Sequence, residues 1–267
     1  MDSTGSFLKT VIERVRGYLD DSDFDAKYQD QFLTQHVIMP ALVDVWSRVS
    51  LNADNPVMLD YEITLIDNQE CYVLPSCVGE VHELIQLSTV GNDGTPVSEL
   101  VPNHRMSVGG QVWALEGNMI CFRPFPSGVS SATPYTVRYT SNGDMSPHYC
   151  DGTNMGTIGA SGTTFVFATT PTLGLLDKRE NCYAGQIIRI LDGTVFEERI
   201  IASYEASTRT CTMKRPFTSS VGTHAYEVAP ARSQGMVEAV AIACALKLGT
   251  WRKCSQAQMG MFTQQYR

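Results

Sequence analysis

The chain has 267 residues, 43% of them hydrophobic and 18% charged, with a formal net charge of −8 and a pI near 5.1. That composition is ordinary for a globular protein and long enough for one large domain or two smaller ones. It argues against a protein that grips nucleic acid by its phosphates, because such affinity comes from lysine and arginine. No apolar run approaches the roughly 20 residues that a bilayer crossing needs. The longest, 236–248, is interrupted by Glu238 and Lys247.

The charge is uneven. Residues 1–70 carry 13 acids and 5 bases, whereas 231–267 carry 5 bases against Glu238 alone. The charge at each end reads first as a solvated face, and alternatively the basic C-terminus reads as a dock for an acidic partner. The opening MDSTGSFLKT shows no basic region followed by an apolar stretch, so synthesis in a cytoplasm is expected. The eight cysteines are scattered without a C-x-x-C pair, and free, mostly buried thiols are expected in preference to bridges or a metal.

In chain order, the spacing of Phe7, Val11, Ile12, Val15 and Leu19 predicts a first helix, capped by Ser3 or Ser6. The acidic turn Asp20-Asp21-Ser22-Asp23 ends it. A second helical stretch carries Phe24, Tyr28 and Phe32 four apart, then Val37, Ile38, Leu42, Val45, Trp46 and Val49. Pro40 falls inside this pattern and predicts a kink or break. From Met58 the period changes to that of strands, expected near 61–65, 71–75, 81–90, 111–115, 119–123 and 135–139. Gly91-Asn-Asp-Gly94 and Gly117-Asn118 supply turns. Residues 141–162 are polar and glycine-rich and are expected to form a linker. Further strands are expected near 163–168, 186–191, 198–202, 210–214 and 224–228, with Asp192-Gly193 as a hairpin turn. A last helix from about Ser233 places Met236, Val240, Cys244, Leu248 and Trp251 on one face, with alanines keeping the rest slim.

These elements predict an α+β fold. Helical parts at 1–56 and 231–267 pack together as a bundle, with an antiparallel, sandwich or barrel-like β region inserted between them. That region comprises 57–140, the 141–162 linker and 163–230.

Several fragments imitate functional motifs and fail on inspection. Asp21, Asp23 and Asp25 start like a calcium loop, but Ala26 replaces its glycine and Phe32 its closing glutamate. His82-Glu83 begins like a zinc-protease helix, but Gln86 stands where the second histidine is required. His148 and Cys150 are spaced for half a metal site or a nucleophile with its base, without a third partner fixed by sequence. No phosphate-binding glycine loop, dinucleotide fingerprint or nucleophile elbow is present. The five histidines, at 36, 82, 104, 148 and 224, suggest no triad. The residues therefore predict a protein with no catalytic residues, no metal and no cofactor. Trp46, Trp113 and Trp251 sit in periodic segments and are expected in a core or an interface.

The opening FLKTVIERVRGYLDDSDFDAKYQDQFLTQHVIMPALVDVW resembles the N-terminal helical pair of tailed-bacteriophage head-to-tail adaptors, which leads into strands through a segment like CYVLP at 71–75. YAGQIIRILDGTVFEERIIASYEASTRTCTMKRPF, ending in YEVAP, resembles a strand-rich insertion of phage structural proteins. AVAIACALKLGTWRKC is similar to the adaptor family's closing helix. Together the quoted segments make up a little over a third of the chain. The resemblance implies a virion neck protein: a ring, commonly of twelve copies, bound under the portal protein and receiving the tail below. Double-stranded DNA would pass through its channel without specific binding. It also implies portal docking through the basic C-terminal tail, which here carries Arg252, Lys253 and Arg267, with Trp251, Leu248 and Met236 as interface residues. Two alternatives stand beside it: another virion component such as a tail hub, fibre-joining or head-decorating protein, and a carbohydrate-binding or hydrolytic module using Trp113 and Tyr135 as a platform.

Overall fold

The structure is a computed structural model that describes residues 6–19, 28–50, 58–86, 95–96, 112–123, 134–141, 145–192, 197–230 and 233–248. The chain divides into two compact units, one formed by Met1–Pro56 with Gly143–Arg267 and the other by Val57–Asn142. It mixes helices with sheets, and all strand pairs among the described residues are antiparallel. No helix among them is long and apolar enough to cross a membrane.

Helix α1 (Phe7–Leu19) starts where the sequence places it. Ser6 Oγ accepts the Lys9 amide at 3.3 Å, the bond of an N-cap residue, and Phe7, Leu8, Val11, Ile12 and Val15 are buried. Helix α2 (Asp30–Leu33) passes through a π-helical turn (Thr34–Ile38) into α3 (Met39–Ser50). The break expected at Pro40 does not occur. Proline lacks the N–H that an α-helix would aim at the carbonyl four residues back, and the chain widens to π spacing just before it instead. Helix α4 (Ser233–Lys247) differs from its expected one-sided stripe. Residues 239–245 are all buried, because α1 and α3 both lie against α4 and use its slim alanine sides.

The second unit contains two sheets. Strands β1 (Met58–Thr64), β3 (Val78–Gln86), β4 (Thr95–Pro96) and β7 (Pro134–Ser141) form one, in the order β1-β7-β3-β4. Strands β2 (Cys71–Val73), β5 (Val112–Glu116) and β6 (Met119–Arg123) form the other, in the order β2-β6-β5. Gly117, with φ at +64°, and Asn118 turn β5 into β6 as the sequence predicts. The sheets meet through Phe122, whose ring stands edge-on to Tyr72 and to Tyr135. Cys71 and Cys121, expected as free thiols, are instead joined by a disulfide, with their Cα atoms 4.1 Å apart. The register places them directly opposite in a pair that exchanges no backbone hydrogen bonds, the narrow kind in which side chains come closest. Cys77, Cys150, Cys182, Cys211 and Cys244 are buried thiols outside any disulfide, and Cys254 lies outside the described residues.

A nine-stranded sheet belongs to the first unit. It is built from β8 (His148–Cys150), β9 (Gly156–Ile158), β10 (Thr164–Val166), β11 (Leu173–Gly174), β12 (Ile187–Ile190), β13 (Glu197–Glu205), β14 (Thr210–Met213), β15 (Gly222–His224) and β16 (Tyr226–Ala229). Its order is β11-β8-β16-β12-β13-β14-β10-β9-β15. The long strand β13 turns the corner. Residues 197–200 pair with β12 and 201–205 with β14, and a bulge falls between Ile201 and Ser203. The two halves fold face to face over Phe165, Phe167, Tyr183, Tyr204 and Tyr226, all 2% exposed or less. Phe165 and Tyr226 lie four strands apart in the sheet, yet their ring centroids are 4.8 Å apart.

The stretch 141–162 therefore needs correction. It supplies β8 and β9 to this sheet where a linker is expected, and the helices and the strands of 163–230 share one unit. Glycine here serves close approach as well as turning. A Cβ on Gly156 would stand 2.2 Å from the Phe165 ring and 2.9 Å from that of Tyr226. Gly156→Ala is expected to overpack this contact and to lower stability by about 1–3 kcal/mol, measured by urea unfolding. Gly17→Ala, where an added Cβ meets nothing within 4 Å, is the control that leaves stability unchanged or higher.

Candidate functional site

Where α1 and α4 begin, their N-termini converge on one buried polar cluster. Glu227 on β16 is fully buried and accepts the amides of Phe7 and Leu8, both at 2.8 Å, and the Ser6 hydroxyl at 3.0 Å. These amides belong to the first turn of α1, where N–H groups have no partner within the helix and the helix dipole favours an anion. Arg189 stands directly opposite Glu227 on β12, and Glu198 directly opposite Arg189 on β13. The guanidinium reaches Glu227 at 3.4 Å, bonds Glu198, and donates to the Ser233 hydroxyl at the head of α4 at 2.8 Å. Burial raises the Glu227 carboxyl above its usual range, against the pull of the Leu8 and Phe7 amides, Arg189 and Ser6. The groups around it are donors, so the ionised form is the one whose partners are satisfied.

Two further joints tie the helices to the sheet, and a third ties a loop to it. Lys9 sits 3.2 Å from Asp151 and 4.3 Å from the centre of the Tyr149 ring, while the Tyr149 hydroxyl donates to the same carboxylate. The Gln31 amide donates to the Gly174 carbonyl at 2.8 Å and accepts the Gly174 amide at 3.1 Å, as a neighbouring strand would. Glu197 accepts the amides and hydroxyls of Thr218 and Ser219. Burial opposes its ionisation, but these donors outweigh it and hold the carboxyl at about 2.

The outward side of α2 and α3 mixes exposed Phe32 and Val43 with exposed His36, Asp44 and Arg48. Tyr28 stacks on Phe32 with ring centroids 5.8 Å apart, and Phe32 meets His36 at 4.8 Å. Phe32 is 44% exposed and Val43 39%, so part of the predicted helix's apolar set is left uncovered among the described residues. Phe32 was expected in the same periodic set as Leu42 and Trp46, which are buried.

The residues singled out by sequence are placed as follows. Met236 is 2% exposed and packs inside its own chain, which corrects its assignment to an intermolecular interface. Leu248 is half-buried at the end of α4, its amide bonded to the Cys244 carbonyl at 3.0 Å. Trp251, Arg252, Lys253 and Arg267 lie outside the described residues, as do Asp21, Asp23 and Asp25. Trp113 and Tyr135 are each 2% exposed and offer no ring face to a sugar, which removes them as a platform. His82 sits at a bulge of β3, 3.3 Å from the Thr140 hydroxyl, on a strand that cannot form a helical metal motif.

His148 and Cys150 are neighbours on one face of β8, within the aromatic core. The His148 ring is edge-on to Phe167, Tyr183 and Tyr226; its Nδ1 faces the Ser146 carbonyl at 3.3 Å, and its Nε2 has no partner among the described residues. Burial pushes the imidazole down to about 4 and the Cys150 thiol up to about 11. A neutral ring and a protonated thiol without solvent access do not make a nucleophile with its base.

The Glu227–Arg189 cluster escaped sequence reasoning. Alternation marks 227 and 189 as facing one side of a sheet, but nothing local pairs Glu227 with Ser6, 221 residues away. No protein-family model matches the chain, and no curated protein matches it either.

Two substitutions test the Glu227 cluster and the buried His148. Glu227→Ala uncaps α1 and leaves a buried Arg189 short of a counter-charge, and it is expected to cost about 3–5 kcal/mol in urea unfolding. Amide exchange at Phe7 and Leu8 should rise with it; a cost below about 1 kcal/mol would contradict the cluster's role. His148 has a folded pKa of about 4 against an ordinary value of 6.5, so the unfolded chain binds the extra proton first. Its contribution is complete above pH 6.5 and declines as pH falls towards 4, by on the order of 3 kcal/mol. His148→Phe should flatten the stability profile in that window, measured as unfolding midpoints at pH 7 and 4.5.

Proposed function

We propose that the chain is a non-catalytic subunit of a tailed-phage head-to-tail adaptor, a ring of twelve copies between portal and tail. One observation supports this reading above the others. Helices from the two ends of the sequence, α1 and α3 against α4, pack in one unit although all the described strands lie between them in the chain. That is the order the adaptor resemblance implies, with the helical parts acting as a terminal bundle and the strands as the insertion. The helices are also firmly mounted, since both α1 and α4 are held to the sheet through Glu227 and Arg189.

In this reading the outward side of α2 and α3, with Phe32 and Val43 exposed among polar residues, covers a neighbouring subunit in the ring. The basic tail with Arg252, Lys253 and Arg267 docks on the portal, and Trp251 and Leu248 support that contact. DNA passes a lumen whose acidic character denies the phosphates a partner. The mature location is the virion neck. No observation favours a tail-hub, fibre-joining or head-decorating role over this one.

Electron microscopy of the purified chain should show twelvefold rings that bind portal; trimers or hexamers would rule the adaptor out. A chain ending at Gly249 should lose portal attachment while keeping the far-ultraviolet dichroism of its strands. Normal attachment of that shortened chain would remove the docking role from the tail.

A further inference from the structure

The disulfide of the second unit carries an inference independent of the adaptor reading. Cys71 on β2 and Cys121 on β6 face each other across the ladder. On the other side of β6, Ala114 of β5 is directly opposite Cys121, and Glu116 follows two residues on. Residues two apart on a strand share a face, so Cys71, Cys121, Ala114 and Glu116 all project from the same side of this three-stranded sheet. Ala114 offers only a methyl group, and Glu116 is the diagonal neighbour of Cys121, within reach of a long side chain. As a result the two sulfurs and a Glu116 carboxylate oxygen all lie within 4.8 Å of one another.

We propose that Cys71, Cys121 and Glu116 form a site for a zinc-class divalent cation, open only when the disulfide is reduced. Two thiolates and a carboxylate are the donor types such a cation prefers, and tetrahedral coordination at ~2.3 Å per sulfur sets the sulfurs roughly 3.8 Å apart. Breaking the Sγ–Sγ bond allows this separation, and a Glu116 carboxylate oxygen already lies within 4.8 Å of both sulfurs. Three protein ligands leave a fourth position for water. The half-buried Cys71 and exposed Glu116 keep that position open to solvent, while the buried Cys121 anchors the inner side.

Disulfide and metal exclude each other, because each needs both sulfurs. A dithiol reductant delivers two electrons and two protons to the Sγ–Sγ bond and leaves as its own disulfide, giving two thiols. The cation then displaces both thiol protons to solvent and binds two thiolates and the Glu116 carboxylate. The reverse requires loss of the cation and a two-electron oxidant of the disulfide class. The site thus reports the redox state of its surroundings by what it holds.

The test uses the full chain, reduced with a dithiol, desalted without oxygen and titrated with Co2+. The expected result is one bound ion per chain, with a thiolate-to-cobalt charge-transfer band, tetrahedral d–d bands and displacement by Zn2+. The untreated disulfide form should show neither band. Cys71→Ser and Cys121→Ser should abolish the charge-transfer signal at this stoichiometry. Persistence of the full signal in either variant would assign the ion to other thiols and overturn the proposal. So would its absence from wild-type protein whose thiol count confirms reduction. Should the serine variants fail to fold, Glu116→Gln at an exposed position decides. It should keep the thiolate band and raise the zinc Kd about tenfold or more, and an unchanged Kd would overturn the three-ligand site.

Discussion

A carboxylate buried without compensation destabilises a protein by several kcal/mol, and Glu227 is fully buried. What compensates it is the first turn of α1, whose amides lack partners for reasons of helix geometry alone. Each deficiency cancels the other. The arrangement extends through Arg189 to Ser233, so the same cluster fixes where α1 and α4 begin and how both sit on the sheet. Packing then follows: with the starts of both helices fixed, the alanine-rich sides of α4 can be covered on all sides, and residues 239–245 are buried.

The second unit contains the same pattern under different physics. Asp60, Arg138 and Glu83 stand directly opposite one another across β1, β7 and β3, as Glu227, Arg189 and Glu198 do across β16, β12 and β13. The Arg138 side chain is 38% exposed, with bonds of 3.1 and 3.0 Å to its two acids, while that of Arg189 is 2% exposed. Water screens the first row, which contributes little to stability and mainly favours the correct register. The buried row is costly to break in part, and it specifies a three-dimensional arrangement that a surface row does not.

Local chemistry was legible in the sequence, and long-range pairing was not. The Ser6 cap, the Gly117-Asn118 turn and the 119–123 strand each depend on neighbours within a few residues, and the structure has them in place. The stretch 141–162 misled because its polar, glycine-rich texture looks like a linker. Its strands are three residues long, and Gly156 is required by aromatic rings contributed from residues 165 and 226. The Cys71–Cys121 pair was hidden by 50 residues of separation, and Glu116 joins them only through strand register. Phe32 shows the opposite failure: its helical spacing was read correctly, but spacing does not reveal that its ring stays exposed among the described residues.

The bond between Gln31 and Gly174 has a meaning beyond holding α2 in place. β11 is an outermost strand of the nine-stranded sheet, and an outermost strand is an invitation for another polypeptide to add itself. The Gln31 amide occupies both the donor and the acceptor of Gly174, so a side chain imitates the missing neighbour and stops lateral growth after one residue. A sheet terminated this way resists fibril-like stacking at high local concentration. Another polypeptide would first have to displace the Gln31 side chain before it could pair with β11 at Gly174.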